Sequence, residues 1–409
     1  MNTQNKKPNI RFNQFKELWK VVKLDSISQK VKSKNINNSF ENVLTNSAEF
    51  GIVPQRDFFD KDIANLKSLS GYYVVQPNDF VYNPRISNKA PVGPIKANFL
   101  NITGVISPLY YVFRTQNIDV FFLAKYFDSS YWHKFMKLNG DTGARSDRFA
   151  IKDSVFKEMP IPFPSLAEQS AISTFFRNLD DLLSSYKDNL ANYQSLKATM
   201  LSKMFPKPGQ SFPEIRIDEF EGEWEKYHLG DIFEQISNYI EPSVENELWS
   251  LTVEKGLTPK TERYKRDFLV KKNDKFKKVD LNEFVYNPMN LTLGALDLNN
   301  NDVTISISGY YVVMKNIDVE KFNNDFLKIL LKTTYAIYQY KQFATGTLIE
   351  KQRVQFPTFS EIPFYLPTIA EQQAIGAYFS NLDNLINSYQ EKISQLETFK
   401  KKLLQDMFI

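Results

Sequence analysis

The sequence contains no cysteine among its 409 residues, which excludes disulfide bonds, thiolate metal sites and a cysteine nucleophile. It has only two histidines, His133 and His228, so a histidine-rich metal centre is excluded as well. No apolar run approaches the roughly 18 residues of a membrane-spanning helix, and the first ten residues lack the apolar core of a signal peptide. We therefore expect a cytoplasmic protein without a membrane partner.

The motifs of several enzyme classes are also missing. There is no P-loop of the form G-x-x-x-x-G-K-[ST], no G-x-S-x-G elbow and no H-E-x-x-H zinc motif. The tetrapeptide Asn/Asp-Pro-Pro-aromatic of amine methyltransferases is absent, because Asn83-Pro84-Arg85 and Asn287-Pro288-Met289 lack its second half. The carboxylates form no nuclease-like cluster. The sequence thus predicts a chain that is not catalytic by itself and that holds no cofactor or metal.

What the sequence does contain is a tandem repeat. Residues 164–205 and 367–408 align without a gap and share 17 identities over 42 positions, which chance does not explain. Four further short segments repeat, at offsets from 200 to 205 residues. The matching pairs are Pro8–Arg11 with Pro213–Arg216, Phe80–Pro84 with Phe284–Pro288, Tyr110–Val112 with Tyr310–Val312, and Thr142-Gly143 with Thr345-Gly346. Each half is therefore a variable globular region followed by a well-matched segment.

The two matched segments have the heptad pattern of long helices. An apolar seam over about five heptads predicts a coiled coil, and Ser165 and Thr368 precede Glu168 and Glu371 at the spacing of a capping box. Neighbouring e positions widen the apolar stripe. The residues predicted to form the coiled coil or a partner contact are Ile172, Leu179, Leu182, Tyr186, Ile375, Leu382, Leu385 and Tyr389.

The globular regions are predicted to be mixed α/β. Their β-branched and aromatic runs indicate strands over Gly71–Val75, Phe80–Tyr82, Leu109–Phe113, Thr304–Ile307 and Tyr310–Met314. Apolar periodicity predicts helices over Ile118–Lys137 and Phe326–Phe343.

Charge is distributed unevenly, although the formal net charge is only +4. Residues 1–163 hold 23 basic and 14 acidic residues, and the segment 255–278 holds ten basic and three acidic residues. The basic cluster of that segment, which includes Lys277, suits a polyanion; a solvated charged hairpin explains it equally well.

Two repeated loops carry side chains suited to phosphates and base edges. Gly140–Arg148 and Ala344–Arg353 each follow a predicted helix, contain glycine and offer arginine with hydroxyl or amide groups. A plain surface loop is the alternative. The repeated Asn-Pro after a strand is interpreted first as a turn, and second as a place where Asn83, Arg85 and Asn287 meet a ligand.

This arrangement resembles the specificity subunit of type I restriction–modification enzymes over essentially the whole chain. The resemblance rests on P-S-L-A-E-Q-S-A-I at 164–172 and P-T-I-A-E-Q-Q-A-I at 367–375, each opening a heptad helix, and on the P-x-I-R…W…L openings at Pro8 and Pro213. It implies an α+β chain with two α/β target recognition domains in tandem and a pseudo-two-fold repeat, whose long helices pair as an antiparallel coiled coil. The implied segments are 1–163 and 213–366 for the domains, 164–205 and 367–409 for the helices, and 206–212 for a linker.

The resemblance also implies a function. Each domain would read one half of a split site in double-stranded DNA, and the coiled coil would set the spacer and dock two modification subunits, with restriction subunits joining them. S-adenosylmethionine, ATP and Mg²⁺ are expected on those partners and not on this chain. The implied DNA-binding residues are Asn83, Arg85, Lys89, Arg145, Ser146, Arg148, Lys260, Arg263, Lys265, Arg266, Asn287, Thr345, Thr347, Lys351 and Arg353. A tandem coiled-coil adaptor that does not touch DNA is the alternative, and a fused methyltransferase is disfavoured by its missing motif.

Overall fold

A computed structural model describes residues 7–58, 66–142, 147–217, 219–243, 245–260, 275–346 and 352–409. The chain divides into two compact units. The first unit comprises residues 1–187 and 391–409, and the second unit comprises residues 188–390. Within the described residues, no helix is long and apolar enough to cross a membrane.

The first unit combines short antiparallel strands with helices. Its strands are β1 (Lys20–Lys23), β2 (Ser28–Lys30), β3 (Leu44–Ser47), β4 (Gly51–Pro54), β5 (Tyr73–Val75), β6 (Phe80–Tyr82), β7 (Ile95–Ala97), β8 (Gly104–Ile106), β9 (Tyr111–Thr115) and β10 (Pro160–Phe163). Its helices are α1 (Leu24–Ile27), α2 (Gln55–Phe58), α3 (Val120–Asp128), α4 (Tyr131–Asn139), α5 (Asp153–Phe156) and the first part of α6 (Leu166–Lys203). A four-stranded sheet in the order β2-β9-β6-β7 is accompanied by the pairs β1–β10, β3–β4 and β5–β8.

The second unit repeats this order. Its strands are β11 (Glu225–His228), β12 (Phe233–Ile236), β13 (Trp249–Thr252), β14 (Gly256–Pro259), β15 (Phe276–Val279), β16 (Phe284–Tyr286), β17 (Leu296–Leu298), β18 (Ile305–Ser308), β19 (Val312–Asn316) and β20 (Pro363–Leu366). Its helices are α7 (Asn324–Leu330), α8 (Thr334–Phe343), α9 (Phe356–Ser360) and the first part of α10 (Ile369–Asp406). The sheet β12-β19-β16-β17 and the pairs β11–β20, β13–β14 and β15–β18 match those of the first unit. The predicted tandem α/β architecture is confirmed.

Segments of the two long helices run antiparallel within each unit. In the first unit Asp180 of α6 pairs with Lys400 of α10 at 2.6 Å, and Lys187 pairs with Glu397 at 2.6 Å. In the second unit Lys197 of α6 forms an ion pair with Asp383 of α10. Asp180 and Asp383 are matching positions of the repeat, as are Lys400 and Lys197. The same contact therefore forms once in each unit, as the predicted antiparallel coiled coil requires.

The buried face of the long helices differs from the predicted seam at one heptad position. Leu182 and Leu385 were predicted to be in the seam, but they are 40% and 37% exposed. Their neighbours Leu183 and Ile386 are buried instead. The buried residues advance as Ile172, Phe176, Leu179 and Leu183, because an α-helix turns every 3.6 residues and the wider face of a globular core follows steps of four and three. The other predicted residues are buried (Ile172, Leu179, Ile375, Leu382) or half-buried (Tyr186, Tyr389).

Each of the two helices predicted for the globular regions is broken in two. The prediction Ile118–Lys137 becomes α3 and α4, which Ser129 and Ser130 separate, and Phe326–Phe343 becomes α7 and α8 around Thr333. The Ser129 hydroxyl donates to the Tyr126 carbonyl at 2.6 Å, and the Thr333 hydroxyl accepts the Ala336 N–H at 3.1 Å. Serine and threonine hydroxyls that bond to nearby backbone compete with the helix pattern.

Repeated residues also hold the start of each long helix. Arg11 donates two hydrogen bonds to the buried carboxylate of Glu168, at 2.6 and 2.7 Å, and Arg216 does the same to Glu371, at 2.9 and 2.5 Å. Only half of the predicted capping box forms: the Ser165 hydroxyl accepts the Glu168 N–H at 3.3 Å. The glutamate side chain instead accepts hydrogen bonds from the arginine, which explains why P-x-I-R and A-E-Q repeat together.

The glutamine of A-E-Q connects the long helix to a helix that packs on the sheet of its unit, which is α3 in the first unit and α7 in the second. These two are the sheet-covering helices. The Gln169 side chain donates to the Pro164 carbonyl and accepts the Asp119 N–H, at 2.9 and 2.8 Å. Gln372 repeats this arrangement with Pro367 and Asn323, both at 2.9 Å. Asp119 and Asn323 cap α3 and α7. The glutamines therefore fix the sheet-covering helices, and with them the loops that follow, relative to the long helices.

Candidate nucleic-acid interface

The repeated Asn-Pro and Tyr-Tyr-Val motifs lie at one end of the four-stranded sheet in each unit. Strand β6 ends at Tyr82, which pairs with Tyr111 at the start of β9. Strand β16 ends at Tyr286, which pairs with Val312 at the start of β19. Because the strands are antiparallel, the residues after β6 and those before β9 meet at the same end. Tyr110 and Tyr310 repeat in the sequence, but the sequence analysis predicts no role for them. Tyr310 is 86% exposed at this end.

The asparagines of this end shape its turn. The Asn83 carboxamide oxygen accepts the Arg85 N–H at 3.0 Å, and Asn287 accepts the Met289 N–H at the same distance. Asn83 is buried, and its amide nitrogen donates to the Asn46 carbonyl at 3.0 Å. For the two asparagines, these bonds support the turn interpretation over the ligand one. The amide nitrogen and the oxygen of the Asn83 side chain are thus both bonded within the protein.

The loops that follow α4 and α8 are closed at their bases by backbone pairs. In the first unit Asp141 and Ala150 exchange hydrogen bonds of 3.1 and 2.7 Å, and in the second Thr345 and Arg353 exchange bonds of 3.0 and 2.9 Å. The Thr345 hydroxyl also donates to the Arg353 carbonyl at 3.1 Å. The predicted residues Arg145, Ser146, Thr347 and Lys351 lie outside the described residues.

The structure brings the Asn-Pro turn and the loop together in both units. The Phe149 N–H donates to the Pro84 carbonyl at 2.8 Å, and the Val354 N–H donates to the Pro288 carbonyl at 3.0 Å. Two motifs that are about 60 residues apart in sequence thus form one surface. Arg148 and Arg353 each precede the residue that makes this bond, although Arg353 also closes its loop by pairing with Thr345, as Ala150 does with Asp141.

Clefts flank this surface in the first unit. A cleft of 610 Å³ lies beside Pro84, Asp141 and Ala150, and a second of 470 Å³ is lined by Arg85, Lys89 and Tyr110 among others. In the first cleft, burial, aided by Asp153 and Asp25, raises the pKa of Tyr111 to about 12. Its phenol therefore stays protonated and neutral at physiological pH.

The cations of this surface differ in how they are paired. The Arg85 side chain is 65% exposed, and its nearest carboxylate is that of Asp147 at 3.9 Å. Lys89, also exposed, pairs with Glu49 at 2.6 Å. Arg148 is half-buried and Arg353 is exposed. Exposed pairs of this kind are weak, so these cations remain able to exchange a protein partner for an external anion.

The basic cluster of the second unit is partly internal. Lys260 is half-buried, and its backbone N–H donates to the Leu248 carbonyl at 2.9 Å. Lys277, predicted to be part of the cluster, is buried and donates to the Tyr311 carbonyl at 2.7 Å, and burial lowers its pKa. Its place in an exposed cluster is therefore wrong, because strand β15 turns it inward. The predicted Arg263, Lys265 and Arg266 lie outside the described residues.

Comparisons with known proteins agree with this architecture. Residues 221–398 match the family model described as the type I restriction modification DNA specificity domain. The specificity subunit of the type I restriction enzyme MjaVIII from Methanocaldococcus jannaschii is 23% identical over 275 residues, which cover 62% of this chain and 62% of that protein. The match thus spans less than two thirds of that relative's length.

Solved structures share the fold at low sequence identity. The type I restriction–modification S subunit from M. genitalium is 16% identical, with a TM-score of 0.57 over 98% of this chain and 99% of that one. The HsdS subunit from Thermoanaerobacter tengcongensis is 14% identical, with a TM-score of 0.51 over 95% and 96%. The second unit therefore carries the match to the DNA specificity domain, and the solved S subunits show the same fold over nearly the whole chain.

Proposed function

We propose that this chain selects the DNA site of a type I restriction–modification complex, with each unit binding one half of a split site in double-stranded DNA. The observation that carries the proposal is the surface that the Asn-Pro turn and the following loop form twice, each time with an arginine, Arg148 or Arg353, directly before the residue that bonds to the turn. Arginine at loop ends can reach phosphates or guanine edges. Two related readers on one chain suit a two-part site.

Partner docking is supported by apolar side chains that the long helices leave exposed. Leu182 and Phe399 are 40% and 49% exposed in the first unit, and their repeat counterparts Leu385 and Leu196 are 37% and 38% exposed in the second. Exposed apolar positions that repeat suit two copies of one partner. We propose two modification subunits there, joined by restriction subunits in the cytoplasm. Those partners would supply S-adenosylmethionine, ATP and Mg²⁺, and this chain would take no catalytic step.

The adaptor alternative is less well supported. It accounts for the long helices, but it gives no reason for a repeated loop surface that carries an arginine in each unit or for a match to a DNA specificity domain.

Footprinting with a matched pair of variants tests the proposal. The chain with its modification subunit is bound to a duplex that carries the methylated motif of the system, and backbone protection is mapped with hydroxyl radicals. We expect Arg148→Ala to weaken protection over one half of the motif and Arg353→Ala over the other, because each arginine belongs to one unit. Equal loss over both halves, or no loss from either variant, would contradict two separate readers.

A further inference from the structure

Arg85 and Arg148 stand directly opposite each other where the turn meets the loop. The Ile86 N–H donates to the Asp147 carbonyl at 2.9 Å, and the Phe149 N–H donates to the Pro84 carbonyl at 2.8 Å. These bonds flank the bridge between Arg85 and Arg148, which makes the two arginines a non-hydrogen-bonded antiparallel pair. In such a pair the side chains leave the same face, with Cβ atoms about 4.5–5.5 Å apart.

Two like charges in this arrangement oppose each other. Directly opposite side chains of the same sign destabilise a strand pair. Among the described residues, Arg148 has no carboxylate within ion-pair distance, and Arg85 has only the exposed Asp147 at 3.9 Å. The protein itself therefore does little to relieve the repulsion, and an external anion between the two guanidinium groups would do so.

We propose that Arg85 and Arg148 clamp one backbone phosphate of the DNA bound by the first unit; this rests on the proposed function. A phosphate carries the negative charge that two cations need, and its oxygens accept the forked hydrogen bonds of guanidinium groups. A guanine edge offers two acceptors, which one arginine fills, and it brings no charge. The clamp fixes the position of the unit on the duplex and does not read a base.

The described residues of the second unit do not repeat this opposed pair. The bond from Val354 to Pro288 matches the bond from Phe149 to Pro84, but the Asn290 N–H donates to the Asn287 carbonyl at 3.0 Å, and Arg353 is paired with Thr345 across the base of the loop. Met289 is 49% exposed and carries no charge. The clamp therefore belongs to the first unit alone, and the two half-sites are held with unequal phosphate affinity.

The salt dependence of binding separates a phosphate contact from base reading. The chain, with its modification subunit, is titrated at several potassium chloride concentrations against a duplex with the methylated motif and a scrambled duplex of equal length. For Arg85→Met/Arg148→Met we expect an affinity loss of about tenfold to a hundredfold on both duplexes, and a slope of log K against log salt that is shallower by about 0.9. The preference for the motif stays unchanged.

The control is Lys20→Met, which removes an exposed cation from β1 of the same unit and is expected to leave both quantities unchanged. The clamp would be overturned if the double variant lost its preference for one base at a motif position but kept the wild-type slope of log K against log salt. It would also be overturned if the double variant bound both duplexes like the wild type. If the wild-type chain does not prefer the motif over the scrambled duplex, the proposed function itself fails, which is a different result.

Discussion

Replacing Phe408 by alanine is expected to lower the free energy of unfolding of the first unit by about 3–5 kcal/mol. The Phe408 ring is fully buried against Phe122, Trp19 and Phe176, with ring centroids 5.4, 6.4 and 6.3 Å away. Its removal leaves a cavity that rigid aromatic neighbours do not fill. Urea unfolding, with hydrogen exchange followed separately for peptides of each unit, measures the effect.

The repeat supplies the control for this variant. Phe205 is the counterpart of Phe408, and it packs on Phe326 and Phe379 in the second unit, at 5.8 and 6.0 Å. Phe205→Ala should destabilise the second unit by a similar amount and leave exchange in the first unit unchanged at low urea. If Phe408→Ala accelerates exchange equally in both units, the two units do not have separate aromatic cores.

Arg11→Met is expected to lower the free energy of unfolding of the first unit by about 3–5 kcal/mol, since it leaves a buried carboxylate without its partner. The Glu168 side chain is 2% exposed and that of Arg11 is 7% exposed, so water does not replace the two lost bonds. Urea unfolding of the variant gives the size of the loss.

A double variant distinguishes a lost partner from lost packing. Arg11→Met/Glu168→Gln removes the uncompensated charge, so it should be more stable than Arg11→Met alone. The equivalent change Arg216→Met should affect the second unit, where Glu371 is fully buried. A double variant no more stable than Arg11→Met would mean that the methionine disturbs packing, and that the charge pair is not what holds the helix start.

The sequence predicted features that depend on neighbouring residues in the chain. The long helices follow from apolar spacing, and β6 was predicted to the residue at Phe80–Tyr82. The exposure of Leu182 was missed because a heptad pattern does not decide which of two adjacent leucines faces a core. The breaks at Ser129 and Thr333 were missed because short hydroxyl bonds to the backbone outweigh an apolar pattern.

The candidate site shows that contacts between residues far apart in the chain could not be predicted from the sequence. From the sequence, the Asn-Pro turn and the glycine-containing loops were identified as separate motifs. For each of them, an ordinary turn or loop was a competing interpretation. Their union depends on the hydrogen bond from Phe149 to Pro84, which joins residues far apart in the chain and leaves no local signal. The opposition of Arg85 and Arg148 follows from that bond and from the bond of Ile86 to Asp147. Conversely, the P-x-I-R motif was noticed as a repeat, and only the structure shows that its arginine holds Glu168.

Methylome sequencing tests most directly whether each unit specifies one half of the site. Cells that express this chain with its modification partner are compared with cells in which residues 20–163 are replaced by the same region of another specificity subunit. We expect a methylated motif with two specified halves around unspecified bases, and we expect the replacement to change one half only. A motif without a gap, or a replacement that alters both halves, would contradict the account.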